Sequence, residues 1–417
     1  MPVSALDDLH RFFSDPKNVY PRRQYLFEFN PSLIRLPESQ RIEVLGERPI
    51  YMASFRVGND HLCVANHTLR SMMVGGLWHE WKGGNNYLGL ALLRNDFSVI
   101  ADMVVDAKQY MHRFTDPRLH VLHDQVYVTS YQRVHPIWLN PPPDLPEIFT
   151  DGKESFPFAV SLPGLWDNPF NVTMRRYGSC SLDRNIQKAG KNLQYFIDAD
   201  DRTVMEVDPM GRKDHVNLTT RCKMAPKGQN LAFIESNRSL PPVAFGSTDE
   251  LHFLRLGSPE FPYSGDHGSS CCVEIVSTDG RELFLGVSHQ RSRPGEASRF
   301  GVGALMYTST FYAMERQAPY HVVARSGRFC LGFPSGEEIA ASTNPYAYMH
   351  TTRLTVGDEY ECPRIHFIGG MLVKADEPDK LVLTYGVNDC YSRVAVLSMA
   401  DVISMLFETD HYLATIV

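Results

Sequence analysis

The residues best equipped for chemistry sit where short strands begin or end. In FTDPRLHVLHDQVYVTSY (114–131), Asp116 stands immediately before Pro117 and a strand. A proline disfavours the helical region for the residue before it, so Asp116 is expected in extended chain. Arg118, two residues on, is then expected on the same side as Asp116. A carboxyl group beside a guanidinium gives up its proton more readily, whereas a general acid must keep it, so burial or substrate would have to offset Arg118. The plainer reading is a turn-capping aspartate with a surface salt bridge. A second cluster, YGVNDCYSRVAV (385–396), sets Asn388 and Asp389 in the turn between two strands. Both are ordinary turn formers, and both suit hydrogen bonding to sugar hydroxyls. A third cluster is FNPSLIRL (29–36), followed by YMASFRV (51–57) with Arg56. His289 closes the strand in LGVSHQR; a lone histidine is more often a structural group than a catalyst. Trp78 and Trp81 in GGLWHEWKGG (75–84) suit stacking on sugar rings or filling a core beside a glycine turn.

Other chemistries find little footing. The chain has no Walker-type phosphate loop, no HExxH and no GxSxG. Its 16 histidines show no metal-ligand spacing on a helix, and no metal is expected. The net charge of −7 and the lack of a basic stripe argue against a nucleic-acid partner. The longest apolar run, Tyr87 to Leu93, is far short of the ~20 residues of a membrane-spanning helix. The 8 cysteines form no CxxC pair. Adjacent Cys271 and Cys272 should point to opposite faces of a strand, and the set is read as buried free thiols of a reducing compartment. The expected location is therefore cytoplasmic. Four N-x-S/T sequons, at Asn66, Asn171, Asn217 and Asn237, keep a secretory-pathway lumen open as the alternative if a leader was removed.

The elements that must position these residues are overwhelmingly strands. Only residues 4–13 and 399–407 read as helices, the latter capped by Ser398 and apolar on one face through Met399, Val402, Ile403 and Leu406. Between them run short segments rich in β-branched and aromatic residues. Several pair across evident turns: His123-Asp124-Gln125, Asp279-Gly280, and DEPDK at 376–380. Hairpin groups open near Pro31, Pro117, Asn192, Gly268 and Phe367 at uneven intervals. That spacing fits an all-β, five-bladed β-propeller with long inserted loops and short terminal helices. A β-sandwich is the rival. The Pro-rich stretch 140–149 cannot be central strand, and the Arg-containing loop 290–303 is either a lid or a solvated loop. The boundaries expected are 1–27 for an N-terminal helical extension, 28–407 for the propeller and 408–417 for a tail.

Several segments, in this order, resemble one family. They are NPS (30–32) with SFR (54–56), DPRLHV (116–121) with VYVTSY (126–131), KN (191–192), LGVSH (285–289), FYAMERQAPYHVV (311–323), HFIGGMLV (366–373) and LTYGVNDCYSRVAVLSMADV (383–402). The chain is similar, over about 28–407, to the five-bladed propellers of the inverting β-mannoside phosphorylases (glycoside hydrolase family 130) and their mannosyltransferase relatives. The resemblance implies a glycoside phosphorylase or glycosyltransferase acting on β-linked mannose-type sugars. Asp116 would be the single general acid, with inorganic phosphate attacking from the opposite face, so no second carboxylate is needed. No cofactor is implied beyond phosphate or a sugar phosphate as co-substrate. Lys191 and His289 would hold the phosphate. Asn30, Arg56, Arg118, Tyr385, Asn388 and Asp389 would hold the sugar. The sequence departs from the family at Thr115, which stands where Glu or Tyr often precedes DPR, and across 191–220 and 226–236. These departures leave two alternatives: a glycan-binding propeller without catalysis, and an inverting hydrolase using a second carboxylate such as Glu80, Glu235, Glu274 or Glu296.

Overall fold

A computed structural model of the chain describes residues 27–58, 86–105, 116–130, 133–140, 156–157, 170, 173–174, 192–206, 213–215, 253–255, 267–277, 279–291, 307–331, 333–334, 351–355, 360–363, 365–387 and 391–408. Short β-branched and aromatic runs between tight turns can satisfy their backbone only by pairing with neighbours, and here they pair into successive antiparallel sheets. The first blade is β1 (Phe27–Arg35), β2 (Tyr51–Gly58), β3 (Asn86–Leu93) and β4 (Val99–Val105), in chain order. The second is β5 (Arg118–Leu122), β6 (Gln125–Ser130) and β7 (Arg133–Trp138), extended by β8 (Phe156–Pro157) and β9 (Thr173–Met174). The third is β10 (Gln194–Ile197), β11 (Thr203–Glu206) and β12 (Lys213–His215). The fourth is built on β14 (His267–Val276), β15 (Glu282–Arg291), β16 (Tyr307–Glu315) and β17 (Val322–Arg325). The short strands β13 (Phe253–Arg255) and β18 (Phe329–Leu331) join the fourth at the Ser309 end of β16. A small separate sheet follows, β19 (Phe333–Pro334), β20 (Thr351–Thr355) and β21 (Tyr360–Pro363). The fifth blade is β22 (His366–Val373), β23 (Lys380–Val387) and β24 (Tyr391–Ser398).

The five opening strands touch in a closed cycle: β1 on β5, β5 on β10, β10 on β14, β14 on β22, and β22 back on β1. Each sheet therefore buries both faces, which a sandwich does not require. In β2 the alternation is legible. Met52 faces Leu88, Leu90 and Leu92 in the core shared with Leu119 and Val128 of blade two. Tyr51, Ala53 and Phe55 face the other way, into the core shared with Val382 of blade five. Leu122 and Tyr127 pack on Tyr195 and Met205 between blades two and three. Phe196 and Val204 pack on Phe284 and Tyr312 between three and four. Leu285 and Phe311 share a core with Ile368 and Leu383 between four and five. Five seams closing on themselves make a β-propeller, as expected.

The turns follow the residues. His123 and Asp124 both take positive φ, 47° and 59°, as a two-residue hairpin turn matching strand twist requires. Gly280 takes φ 85° in the Val276–Glu282 turn. Two expectations are corrected. The last helix, α1, spans Met399–Ser404 rather than 399–407. Ser398 does cap it, accepting from the Asp401 N–H at 3.3 Å. The residues beyond gain more as an edge strand, β25 (Phe407–Glu408), paired with Arg325 and Ala324 of β17. Cys271 and Cys272 do not point to opposite faces of the strand: both side chains pack against the core between blades three and four, and Cys330 is disulfide-bonded rather than free. The β14–β15 register slips between Cys271 and Val273, which interrupts the strand alternation. The helix expected at 4–13, Trp78, Trp81, all four sequons and Glu80, Glu235 and Glu296 lie outside the described residues.

Candidate active site

Asp116 and Asn192 lie in the left-handed region just before β5 and β10, at φ 49° and 71°, and Asn30 takes φ 53° inside β1, where its register with β2 slips between Phe29 and Ser32. Short polar side chains tolerate this conformation better than other non-glycine residues. Asp116 is thus not extended, as the proline after it suggested; Pro117 limits the helical well but leaves positive φ open to an aspartate. Asn30 before Pro31 does the same.

Neighbouring blades pin these turns. Ser54 Oγ donates to the Pro117 carbonyl at 3.0 Å, and the Leu119 N–H donates to Ser32 Oγ at 3.1 Å, tying β5 to blade one. Thr384 Oγ1 donates to the Pro31 carbonyl at 2.9 Å, tying β1 to blade five. All three bonds are buried, where losing a partner costs more than the bond itself contributes. Gly386 lies so close to Asn30 that a Cβ there would be 2.0 Å from Asn30 Oδ1. Asn30 is held from behind, and its Nδ2 donates to Asp116 Oδ1 at 2.8 Å. Arg56 Nη1 lies 3.5 Å from the same oxygen, and the Arg56 and Asp116 side chains are only 15% and 10% exposed. The cation paired with Asp116 is therefore Arg56, not Arg118, because the left-handed turn breaks the i, i+2 alignment that extended chain would give.

Arg118 turns toward blades three and four. It is 2% exposed. Its Nη2 donates to Asn192 Oδ1 and to the Gly268 carbonyl, each at 3.3 Å, and its guanidinium lies 4.9 Å from the centre of the Phe367 ring. Its Nε and Nη1 find no acceptor among the described residues. Burial pushes the guanidinium pKa down to about 10, against the opposing pull of Asp116 and then Glu206, so Arg118 stays charged at neutral pH. The Phe367 ring also meets His289 edge to face, ring centres 5.1 Å apart. His289 is buried, with Nδ1 2.9 Å from Ser269 Oγ. Asn30, Arg56 and Asp116 thus form one group, and Arg118, Phe367 and His289 a second, joined through the Asp116–Arg118 turn. Tyr385 is buried in the blade four–five core with its ring 5.4 Å from that of His366, while the next residue, Gly386, lies against Asn30. Lys191, Asn388 and Asp389 lie outside the described residues.

Two buried histidines flank these groups. His120 Nε2 lies 3.1 Å from Thr129 Oγ1, and desolvation, then the Arg118 charge, push its pKa down to about 3. Desolvation alone does the same to His366, whose Nδ1 is 3.2 Å from Ser309 Oγ.

Sequence reasoning missed Glu206. Its side chain has no exposed surface, it accepts from the Tyr312 hydroxyl at 2.7 and 2.9 Å, and Lys213 Nζ lies 3.7 Å from Oε2. The only signal was a charge in an otherwise uncharged strand, TVME, within the stretch least like the family. Glu274, named as a second carboxylate, is instead on the surface, bonded to Arg316 at 2.7 Å.

No family model matches the sequence, and no curated protein matches it. Among solved structures, the chain is similar to a glycosyl hydrolase from Bacteroides ovatus, with 12% identity over 90% of this chain and 85% of that one, at a TM-score of 0.47. It is similar to the β-1,2-mannobiose phosphorylase of Listeria innocua in complex with β-1,2-mannobiose, with 12% identity over 91% of each chain, at a TM-score of 0.45. It is also similar to a structure from the GH130 family of mannoside phosphorylases, a family containing glycoside hydrolases that target β-1,2 mannosidic linkages in Candida mannan, with 10% identity over 90% of this chain and 85% of that one, at a TM-score of 0.43.

Proposed function

We propose that this chain is a carbohydrate-active enzyme that cleaves a β-linked mannose-type glycoside by inverting phosphorolysis. The observation that carries the reading is the asymmetric holding of Asp116. Oδ1 takes both the Asn30 amide and Arg56, while Oδ2 has no hydrogen-bond partner among the described residues. That holding fixes Oδ1 as an acceptor and leaves Oδ2 as the oxygen that would carry a proton once bound substrate offsets Arg56. In the cleaving direction, Oδ2 gives that proton to the departing glycosidic oxygen as the bond to the anomeric carbon breaks. A phosphate oxygen forms the new bond to that carbon from the opposite face, and the phosphate's own proton is released and restores the acid. In the synthetic direction, Asp116 takes the proton of an acceptor hydroxyl.

The anion needs cations held in place before it arrives. Arg118 is buried and charged, and Nε and Nη1 remain for a ligand. Together with His289 beyond Phe367 and with Lys191, next to Asn192, it would clamp phosphate. Asn388 and Asp389 would take sugar hydroxyls. Asn30, placed among the sugar ligands by family resemblance, is assigned here to hold Asp116 instead.

The test is phosphate release from mannose 1-phosphate with a panel of mannose and mannoside acceptors, with Asp116→Asn alongside. Release that needs both acceptor and Asp116 supports the reading. Binding of mannosides without release from any pair turns it toward a glycan-binding propeller.

A further inference from the structure

We propose that the buried Glu206–Lys213 pair sets how tightly Arg118 holds an anion, its negative end facing Arg118 through the backbone of Gly268. The inference rests on the reading of Arg118 as an anion ligand. Glu206 and Lys213 face each other directly across β11 and β12, and both side chains are at most 2% exposed. Charges are costly in such a place, and a hydrophobic pair would fill it at no electrostatic cost. Their orientation gives the pair a use. Oε2 faces Lys213 at 3.7 Å, while Oε1 faces Gly268, where a Cβ would lie 3.6 Å from it. The same Cβ would be 2.8 Å from the Asn192 carbonyl oxygen, so only a glycine fits between Glu206 and the Arg118 site. Arg118 Nη2 donates to the carbonyl of that same Gly268 at 3.3 Å. A single glycine backbone thus separates the carboxylate from the guanidinium, in a medium where a unit charge acts strongly.

Tyr312 holds the carboxylate in this orientation from blade four. Its ring lies over Gly286, where a Cβ would be 2.2 Å from Tyr312 Cζ, so the tyrosine reaches blade three only because position 286 has no side chain. Glu206 is a tuning residue: it touches neither sugar nor phosphate in this scheme and acts through Arg118.

The two charges make opposite predictions. Glu206→Gln keeps the shape and removes the negative end, so inorganic phosphate should bind about tenfold more tightly, the size expected for one charge across a partly screened site. Lys213→Met leaves the negative end uncompensated, and binding should weaken by about tenfold. The double variant should return to within about twofold of the parent. Tyr312→Phe, which removes the hydroxyl that orients the carboxylate but no charge, should lower the unfolding midpoint and shift phosphate affinity by less than either charge variant. Calorimetric titration of the full chain with inorganic phosphate, alongside thermal unfolding of each variant, measures all of these. If Glu206→Gln does not fold, Lys213→Met and the double variant carry the same comparison. Parent-like affinity in the folded charge variants overturns the inference while leaving phosphorolysis intact. So does an equal loss of affinity in Tyr312→Phe, which would make the role one of packing. A parent protein that binds no phosphate overturns both.

Discussion

Two seams of this propeller hold a buried carboxylate, and they hold it in opposite ways. At the meeting of blades five, one and two, Asp116 has one oxygen engaged by Asn30 and Arg56 and the other without a partner among the described residues. At the seam of blades three and four, Glu206 has both oxygens engaged, by Tyr312 and Lys213, and no exposed side-chain surface. Both depend on a glycine that lets a neighbour press close, Gly386 behind Asn30 and Gly286 beneath Tyr312. A carboxyl group with spare capacity can exchange a proton with a ligand; one saturated by protein donors can only supply field and stability. On the proposed function, the difference gives chemistry to the first seam and electrostatic support to the second.

The sharpest break between them is expected in turnover. Asp116→Asn should cut acceptor-dependent phosphate release by about 10³-fold, within the range of a lost general acid, and shift the urea midpoint little. Glu206→Ala should do the reverse to stability, costing about 3–5 kcal/mol because it leaves Lys213 charged and buried. Urea titration of the two variants side by side tests the contrast, and a larger stability loss in Asp116→Asn would dissolve it.

Acid separates the seams less strongly. His120 and His366 titrate near pH 3 in the fold against about 6.5 unfolded, so between those values the unfolded chain binds more protons. Their contribution is complete above about pH 6.5 and is lost as pH falls toward 3, at about 1.4 kcal/mol per pH unit for each histidine. Midpoints measured from pH 7 to 4 should therefore fall, and His120→Gln should roughly halve the histidine share of that slope. A flat profile would mean that neither ring is held neutral.

The glycines offer a finer comparison. Gly286→Ala should cost about 1–3 kcal/mol by overpacking against Tyr312. Gly386→Ala should instead show chiefly in rate, by about tenfold, through displacement of Asn30 from Asp116. Kinetics and unfolding on both variants would show whether the two glycines serve different ends. The smallest effect, about 1 kcal/mol, is expected from Ser398→Ala at the cap of α1, remote from both seams.

Local chemistry made much of this legible beforehand. Pro31, Pro117, Asn192, Gly268 and Phe367 each fall within four residues of the start of an opening strand, because turn formers and the strand-forming runs beside them act over a few residues. Alternating apolar residues announced strands, and Ser398 announced its helix. The place of Asp116 at a strand opening was equally local. Its partner was not. Arg118 is two residues away and Arg56 sixty, yet the left-handed turn at Asp116 gives the ion pair to Arg56. The importance of Glu206 was hidden for the same reason. Its meaning comes from Tyr312, 106 positions along the chain, and from Gly268 between it and Arg118. Propensity, turn chemistry and alternation are properties of neighbours in sequence, and they determined strands, turns and blade openings. Which cation meets which carboxylate, and whether that carboxylate keeps a spare oxygen, depends on the approach of strands from different blades, and only closure of the ring decides it.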